Sequence, residues 1–312
     1  MAGYEPKDHI IYDNEVLENK ITDLLITAVD LSNYMTVDNS LTQNAGMRKV
    51  INRYTARGNV EDLAMGEGNT GGIMVSFDPV EYTVGTTQGR FAYFDEQAMT
   101  DPMVVDVGLD GLAKTMVNDF TNKAIDEFEN SADLGTTPAA WSFEAVVDGI
   151  AKMNLEDESG LFLLISPADQ AAFRKALKDD LKYVESFVRT GYIGSVCGVP
   201  VIVSKAVNTG VGFLATKDAI TLFVKKATEI EQERDANVRK NTVYARKVAV
   251  VALTDATKLV KIDLRHYTEA ETTIGSNPAA DGYYELTANG AYVPTKDTTP
   301  VERKTYYIEA EG

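Results

Sequence analysis

Six consecutive residues, Gly66-Glu67-Gly68-Asn69-Thr70-Gly71, match the G-x-G-x-x-G pattern of a dinucleotide-binding loop. Such a loop works by following a buried strand and opening a helix, so that the pyrophosphate rests on the helix N-terminus. Here VEDLAM precedes the glycines and a strand pattern follows them, while Glu61, Asp62 and Glu67 would repel a phosphate. The motif reads as a hinge. Glu156, Asp157 and Glu158 gather three carboxylates in NLEDESG, a polar stretch between helix and strand patterns, where a solvated loop is expected rather than general acid–base chemistry. Cys197, the single cysteine, excludes an intrachain disulfide; with no histidine near it in GSVCGVP, it is expected to be a small buried hydrophobe, not a nucleophile. Two histidines, His9 and His266, leave few ligands for zinc. The phosphate-cradle, zinc-protease, nucleophile-elbow, calcium-loop and C-x-x-C signatures are all absent from the sequence. No catalytic, cofactor-binding or metal site is expected, and the chain is not expected to be an enzyme.

The 312 residues, 44% hydrophobic and 25% charged, suit a folded protein of about two domains. A net charge of −17 repels phosphate backbones and anionic headgroups, which disfavours general nucleic-acid or membrane binding. The start MAGYEPKDHIIYD lacks a basic region followed by an apolar one, and no apolar run approaches about 18 residues, so secretion and membrane spanning are not expected. A reducing cytoplasm fits the cysteine usage. The charge is unevenly placed. Between residues 59 and 110, Arg90 is the lone base against Glu61, Asp62, Glu67, Asp78, Glu81, Asp95, Glu96, Asp101, Asp106 and Asp110. Bases gather instead at Arg48, Lys49, Arg53 and Arg57, and at Lys225, Lys226, Arg234, Arg239, Lys240, Arg246 and Lys247. Opposite potentials steer association and set register, so these groups are candidate contacts between copies of the chain.

The elements that must carry these residues emerge from periodicity. Val16, Leu17, Ile21, Leu24, Leu25, Ala28 and Leu31 form the stripe of an amphipathic helix over 14–31. Residues 36–72 show no sustained period and read as an extended arm with little structure of its own. From Gly72 to Phe94 two alternating runs flank GTTQG, which predicts a long hairpin too narrow to be stable alone. Asp101-Pro102 opens a helix running to about Asn130, whose Leu109, Leu112, Met116, Phe120, Ala124 and Phe128 recur at three or four; at about 1.5 Å per residue it is a spine roughly 40 Å long. A helix is predicted over Ser142–Asn154, a buried strand over Leu161–Ile165, and a capped helix from Ser166-Pro167. Strands are expected at Val199–Val203, Val211–Ala215 and Ile220–Val224. Ala227–Glu233, Thr242–Leu253 and Lys258–Ile262 should return beside the spine as antiparallel strands. Beyond residue 265, two Tyr-bearing strands face each other across Asn289-Gly290 and a third covers Tyr306–Glu309, a small β appendage. The class is α+β.

This order of arm, acidic loop, spine helix and compact domain resembles the major capsid protein of tailed bacteriophages, the Hong Kong 97 fold. The likeness is carried by LFLLISPADQAAFRKAL (161–177), GYIGSVCGVPVIVSKAV (191–207), in which Gly198 and Pro200 are structural, and AITLFVKKATEIEQERDANVRKNTVYARKVAVVAL (219–253). It covers residues 5–264. It implies an N-terminal arm over 1–58, an E-loop over 59–102, a peripheral domain over 103–140 and 225–264, and an axial domain over 141–224, with the appendage at 265–312. It also implies a shell of pentamers and hexamers around double-stranded DNA that is enclosed without specific binding. The expected partners are portal and scaffolding proteins, and the expected location is the virion after assembly in the host cytoplasm. Because residues 59–102 contain no lysine, closure without the isopeptide cross-link of some members is expected. The arm starts almost at Met1, so a separate scaffold, or one already removed, is expected too. An encapsulin-type cellular compartment is the alternative reading. Tail-tube and enzyme readings fit less well, the first for want of a spine helix.

Overall fold

The computed structural model describes residues 34–43, 46–58, 61–63, 65–101, 103–177, 195–270, 282–297 and 304–310; the helix expected over 14–31 lies outside them. In chain order, β1 (Thr36–Asp38), β2 (Arg48–Arg57), β3 (Met74–Thr83) and β4 (Gly85–Phe94) precede α1 (Asp95–Thr100) and α2 (Met103–Ser131). After these come β5 (Leu134–Thr136), α3 (Phe143–Met153), β6 (Leu161–Ile165), α4 (Pro167–Ala176), β7 (Ser195–Val196), β8 (Val199–Val203) and β9 (Val211–Thr216). The long strands β10 (Ile220–Asp235) and β11 (Lys240–Leu253) are next, then β12 (Leu259–Asp263), β13 (Tyr267–Glu269), β14 (Tyr283–Leu286), β15 (Tyr292–Pro294) and β16 (Tyr307–Glu309). The mixed helix and strand content bears out the α+β expectation.

The helix expected from Asp101 is α2, and the Asp101 carboxylate accepts the Met103 amide at 3.0 Å, occupying one of the donors that a helix start leaves unpaired. Its apolar positions serve two cores in succession. Leu109, Leu112 and Met116 pack with Tyr93, Ile230, Val243 and Ala245 under the sheet β1-β10-β11-β4, whereas Phe120, Ala124 and Phe128 pack with Phe162, Phe213, Val251 and Leu253. A second sheet, β5-β12-β9-β6-β8-β7, carries α3 and α4. The capping signals hold: Ser142 Oγ accepts the Ala145 amide, Ser166 Oγ accepts the Asp169 amide, and Pro167 occupies the first turn. Asp169 is buried yet fully used, accepting from Trp141 Nε1 (3.0 Å), Ser166 Oγ (2.7 Å) and the Gly210 amide (3.0 Å).

Three expectations need correction. Gly72–Phe94 is not a hairpin: β3 pairs with β2 from Arg48↔Thr83 to Arg57↔Met74, and β4 pairs with β11. GTTQG lies inside β4 because the spine needs the space; a Cβ on Gly89 would sit 2.4 Å from Leu112 Cδ1, and one on Gly108 2.2 Å from the Phe91 ring. The supposedly unstructured arm therefore holds the ten-residue strand β2. Lys258–Ile262, expected to return beside the spine, makes up most of β12, which pairs with β9 and β5 in the second sheet while Leu259 shares a core with Phe128 of the spine. The division expected at 224/225 falls within β10, at an irregularity between Val224 and Lys226, and the strand continues through it.

The appendage strands form a sheet of order β13-β16-β14-β15 that is keyed into the body. Gly290 bridges to Leu134, a Cβ on Gly135 would lie 2.4 Å from the Ala291 Cα, and Tyr306 is fully buried. Lys261, fully buried, donates to the Tyr292 carbonyl (2.6 Å) and lies 3.5 Å from Asp263 and 3.8 Å from Glu129. Arg265 reaches the same two carboxylates at 2.9 and 3.3 Å, and the Tyr267 hydroxyl donates to Asp263 at 2.7 Å. Burial alone would raise the Asp263 carboxyl, but the Arg265 hydrogen bond and charge, with Lys261 and Tyr267, hold it below the ordinary range. Burial lowers the Lys261 ammonium against the opposing pull of Asp263 and Glu129.

Candidate assembly surfaces

The β2–β3 ribbon is the region whose surface chemistry is out of balance. Among the described residues each strand pairs only with the other, and Leu63, Met65, Ile73, Met74, Val75 and Phe77 of the ribbon's distal half are exposed, Met74 at 78% and Val75 at 63%. A two-stranded ribbon is marginal in water, and apolar side chains exposed on both of its faces make it a candidate interaction surface. At the tip the glycine-rich loop turns through Gly66, where φ is +93°. The Glu61 carboxylate accepts from the Thr70 amide (2.8 Å), Thr70 Oγ1 (2.7 Å) and the Gly71 amide (3.1 Å). These bonds hold Glu61 below the usual carboxylate range, the Thr70 hydroxyl first among them. The amides that a phosphate would need are thus held by a carboxylate, and the glycines lead into β3, not into a helix.

At its other end the ribbon is anchored. Val84, the single residue between β3 and β4, is 3% exposed, and its amide donates to the Met47 carbonyl at 2.8 Å. It packs with Leu41, Phe223 and Ala252, while Lys49 places its ammonium 4.6 Å from the centre of the Phe223 ring. The ribbon does therefore carry a lysine, at its root.

Several charges expected to meet across copies meet within the chain. Arg48 pairs with Glu81 at 2.7 Å across β2 and β3. The β4–β11 register sets Phe94 opposite Lys240, which brings the β10–β11 turn to α1; Arg234 then reaches Asp95 at 3.0 Å and Arg239 reaches Glu96 at 2.8 Å. Arg246 binds Glu229 and Glu231, and with Lys226 it holds Glu229 down to about 2. Asp62, Glu67 and Arg90 are exposed and Lys240 is half-buried. Arg53 and Asp78 are opposite each other in the strand register, Arg57 is opposite Met74, and the side chains of Arg53, Arg57 and Asp78 lie outside the described set.

Cys197 and Gly198 form the two-residue turn between β7 and β8, with φ of +53° and +79°, and Pro200 sits exposed in β8 opposite Ser195. The cysteine is half-buried rather than buried, and burial with the nearby Glu158 charge pushes its thiol up, away from nucleophile chemistry. The residues that sequence reasoning missed include a second exposed apolar row, Phe94, Met99, Met103 and Val107, of which the last two are one helical turn apart on α2. Their i, i+4 spacing was the available signal. A cleft of about 670 Å³ beside Phe143, Leu177 and Cys197 had none. Among the described residues no cluster of side chains suits a metal ion, and no helix is long and apolar enough to cross a membrane.

Residues 78–262, from β3 to β12, match the family model described as phage capsid protein. The chain belongs to the phage capsid protein family. That family is one of structural capsid proteins, not enzymes, and its members are virion components. The major capsid protein of Staphylococcus phage phiMR11 is 28% identical to this capsid-family chain over 117 residues, 36% of this chain and 43% of that relative, so less than half of the relative's length is matched. The fold is that of Hong Kong 97-like capsids. A virus-like particle from Pyrococcus furiosus is similar with a TM-score of 0.58 at 11% identity, covering 81% of this chain and 100% of that one. Mycobacterium phage Che8 gives 0.55 at 15% identity, covering 74% and 90%, and the mature capsid of bacteriophage PhiM1 gives 0.58 at 12%, covering 84% and 90%. The family match begins at Asp78, so most of the ribbon precedes it, and the whole appendage lies beyond it.

Proposed function

We propose that this chain is the major head protein of a tailed double-stranded DNA phage, assembling through pentamers and hexamers into an icosahedral shell. The observation that carries this reading is the ribbon: a segment rooted in the body that exposes Ile73, Met74 and Val75, on a chain whose family builds capsids. In a shell of identical subunits a second copy covers these side chains, and heterologous contacts of this kind close only in rings. The exposed groups Asp62, Glu67 and Arg90, with the half-buried Lys240, are the charges that would guide that docking, whereas Arg48, Glu81, Asp95, Glu96, Arg234 and Arg239 have partners at home. Closure is non-covalent, since the ribbon's Lys49 lies over Phe223 at the root. The net charge of −17 supports a wall that encloses DNA without gripping it, with portal and scaffolding proteins as the other partners and the host cytoplasm as the place of assembly.

Electron microscopy of the expressed chain tests the reading: closed particles or capsomers are expected, and a stable monomer under all assembly conditions overturns it. The likeness to the virus-like particle from Pyrococcus furiosus favours one second reading, an encapsulin-like compartment. Particles that carry a protein cargo and never package DNA beside a portal would establish it.

A further inference from the structure

The ribbon has a root as well as a tip, and one carboxylate oxygen lies where three elements meet. Glu127 on α2 accepts, on Oε1, from the Tyr82 hydroxyl (2.8 Å), from Ser131 Oγ (2.8 Å) and from the Leu253 amide (3.4 Å). Tyr82 belongs to the ribbon strand β3, Ser131 ends the spine helix, and Leu253 ends β11. The Tyr82 hydroxyl also lies 3.5 Å from the Leu253 carbonyl. We propose that Glu127 is a positioning residue for the ribbon: its carboxylate sets the angle at which β2 and β3 leave the body.

The apolar cluster at Val84 holds the root down, but burial is non-directional and does not choose an angle. A carboxylate–phenol hydrogen bond is charge-assisted and directional, and does. Only Val84 separates β3 from β4, so rotation there sweeps the whole ribbon. Ten residues at about 3.3 Å each reach roughly 30 Å, so a swing of about 10° carries the tip about 5 Å, the width of one strand spacing. An error of that size takes an apolar row off its receiving surface. The consequence for docking rests on the shell reading above; the angle itself does not.

The test uses the full unassembled chain in a Cys197→Ser background, with spin labels on Val75→Cys in the ribbon and Lys217→Cys in the body, read by pulsed electron paramagnetic resonance. Glu127→Ala and Tyr82→Phe are expected to widen the distance distribution by about 5 Å, while Glu127→Gln, which keeps an acceptor oxygen, restores the narrow one. The Val84 amide should exchange about tenfold faster in the first two variants, and the double variant should be no looser than either single one. A Glu127→Ala chain with native circular dichroism and an unchanged distribution overturns the proposal. If that chain does not fold, Tyr82→Phe, which removes one hydroxyl, reads the same contact with the same criteria. Unlabelled Glu127→Ala chains are then put through assembly: irregular particles are expected, and particles identical to the parent's overturn the link to docking. Failure of the parent itself to assemble counts against the shell reading alone, because the label distances are measured on free subunits.

Discussion

The ribbon and the appendage are both β excursions from the same two-sheet body, and they treat their surface in opposite ways. The appendage draws charge inward: Lys261, Asp263, Arg265 and Glu129 lie buried or nearly so between it and the body, each within reach of an opposite charge, and Tyr267 stacks on Tyr292 with centroids 4.1 Å apart. The ribbon sends apolar groups outward and keeps its ion pair, Arg48–Glu81, at the surface. A segment that buries charges must find their partners in its own chain, because an unmatched one is too costly to keep. A segment that exposes Ile73, Met74 and Val75 is, on the shell reading proposed above, one whose burial a second copy completes.

Removing the Asp263 side chain with Asp263→Ala should break the charge-burying side of this contrast most severely. It strands Lys261 and Arg265 without their nearest counter-charge, and about 3–5 kcal/mol should be lost from urea unfolding of the free subunit. A loss under about 1 kcal/mol would mean that the cluster is solvated and the contrast false. Gly89→Ala probes the body that both excursions share; forcing a methyl 2.4 Å from Leu112 should cost about 1–3 kcal/mol in the same assay. On the ribbon, Val75→Asp should alter free-subunit stability by no more than about 0.5 kcal/mol while abolishing particles in sedimentation, an outcome no appendage variant should share. Arg48→Ala, at an exposed pair, should cost less than about 1 kcal/mol.

Asp263 has a folded-state value below its unfolded one, so its stabilisation is complete above about pH 3.9 and is lost as the pH falls through the folded value. Urea midpoints of the parent should therefore fall as the pH drops below about 3.9, and Asp263→Ala should flatten that fall.

Much of the fold was legible wherever a local signal coincided with the final packing. Ser142, Ser166-Pro167 and Asp101 cap helices as their types require, the uninterrupted apolar run 161–165 is a buried strand, and Asn289-Gly290 turns between β14 and β15. What failed was governed by distant neighbours. β2 has strand formers in Val50, Ile51, Tyr54 and Thr55, but Arg48, Lys49, Asn52, Arg53 and Arg57 break any sustained alternation, and pairing with β3 settles its conformation. Gly85 and Gly89 looked like a turn because the spine helix that needs the bareness of Gly89 is more than twenty residues away. The site fared likewise. The acidic bias around the ribbon was visible, but three of its pairs close within the chain through strand registers that charge counting cannot supply, and Glu127, an ordinary acid in an acidic stretch, gave no sign of its three donors.

The passage of β3 into β4 through one residue has a mechanical side. Traction on the ribbon passes through Val84 into β4, whose ladder to β11 runs from Gly85↔Ala249 to Phe94↔Lys240. Hydrogen bonds perpendicular to the pull are strained side by side in shear, and must yield together rather than peel singly. A pull directed along β4 thus meets ten residue pairs at once.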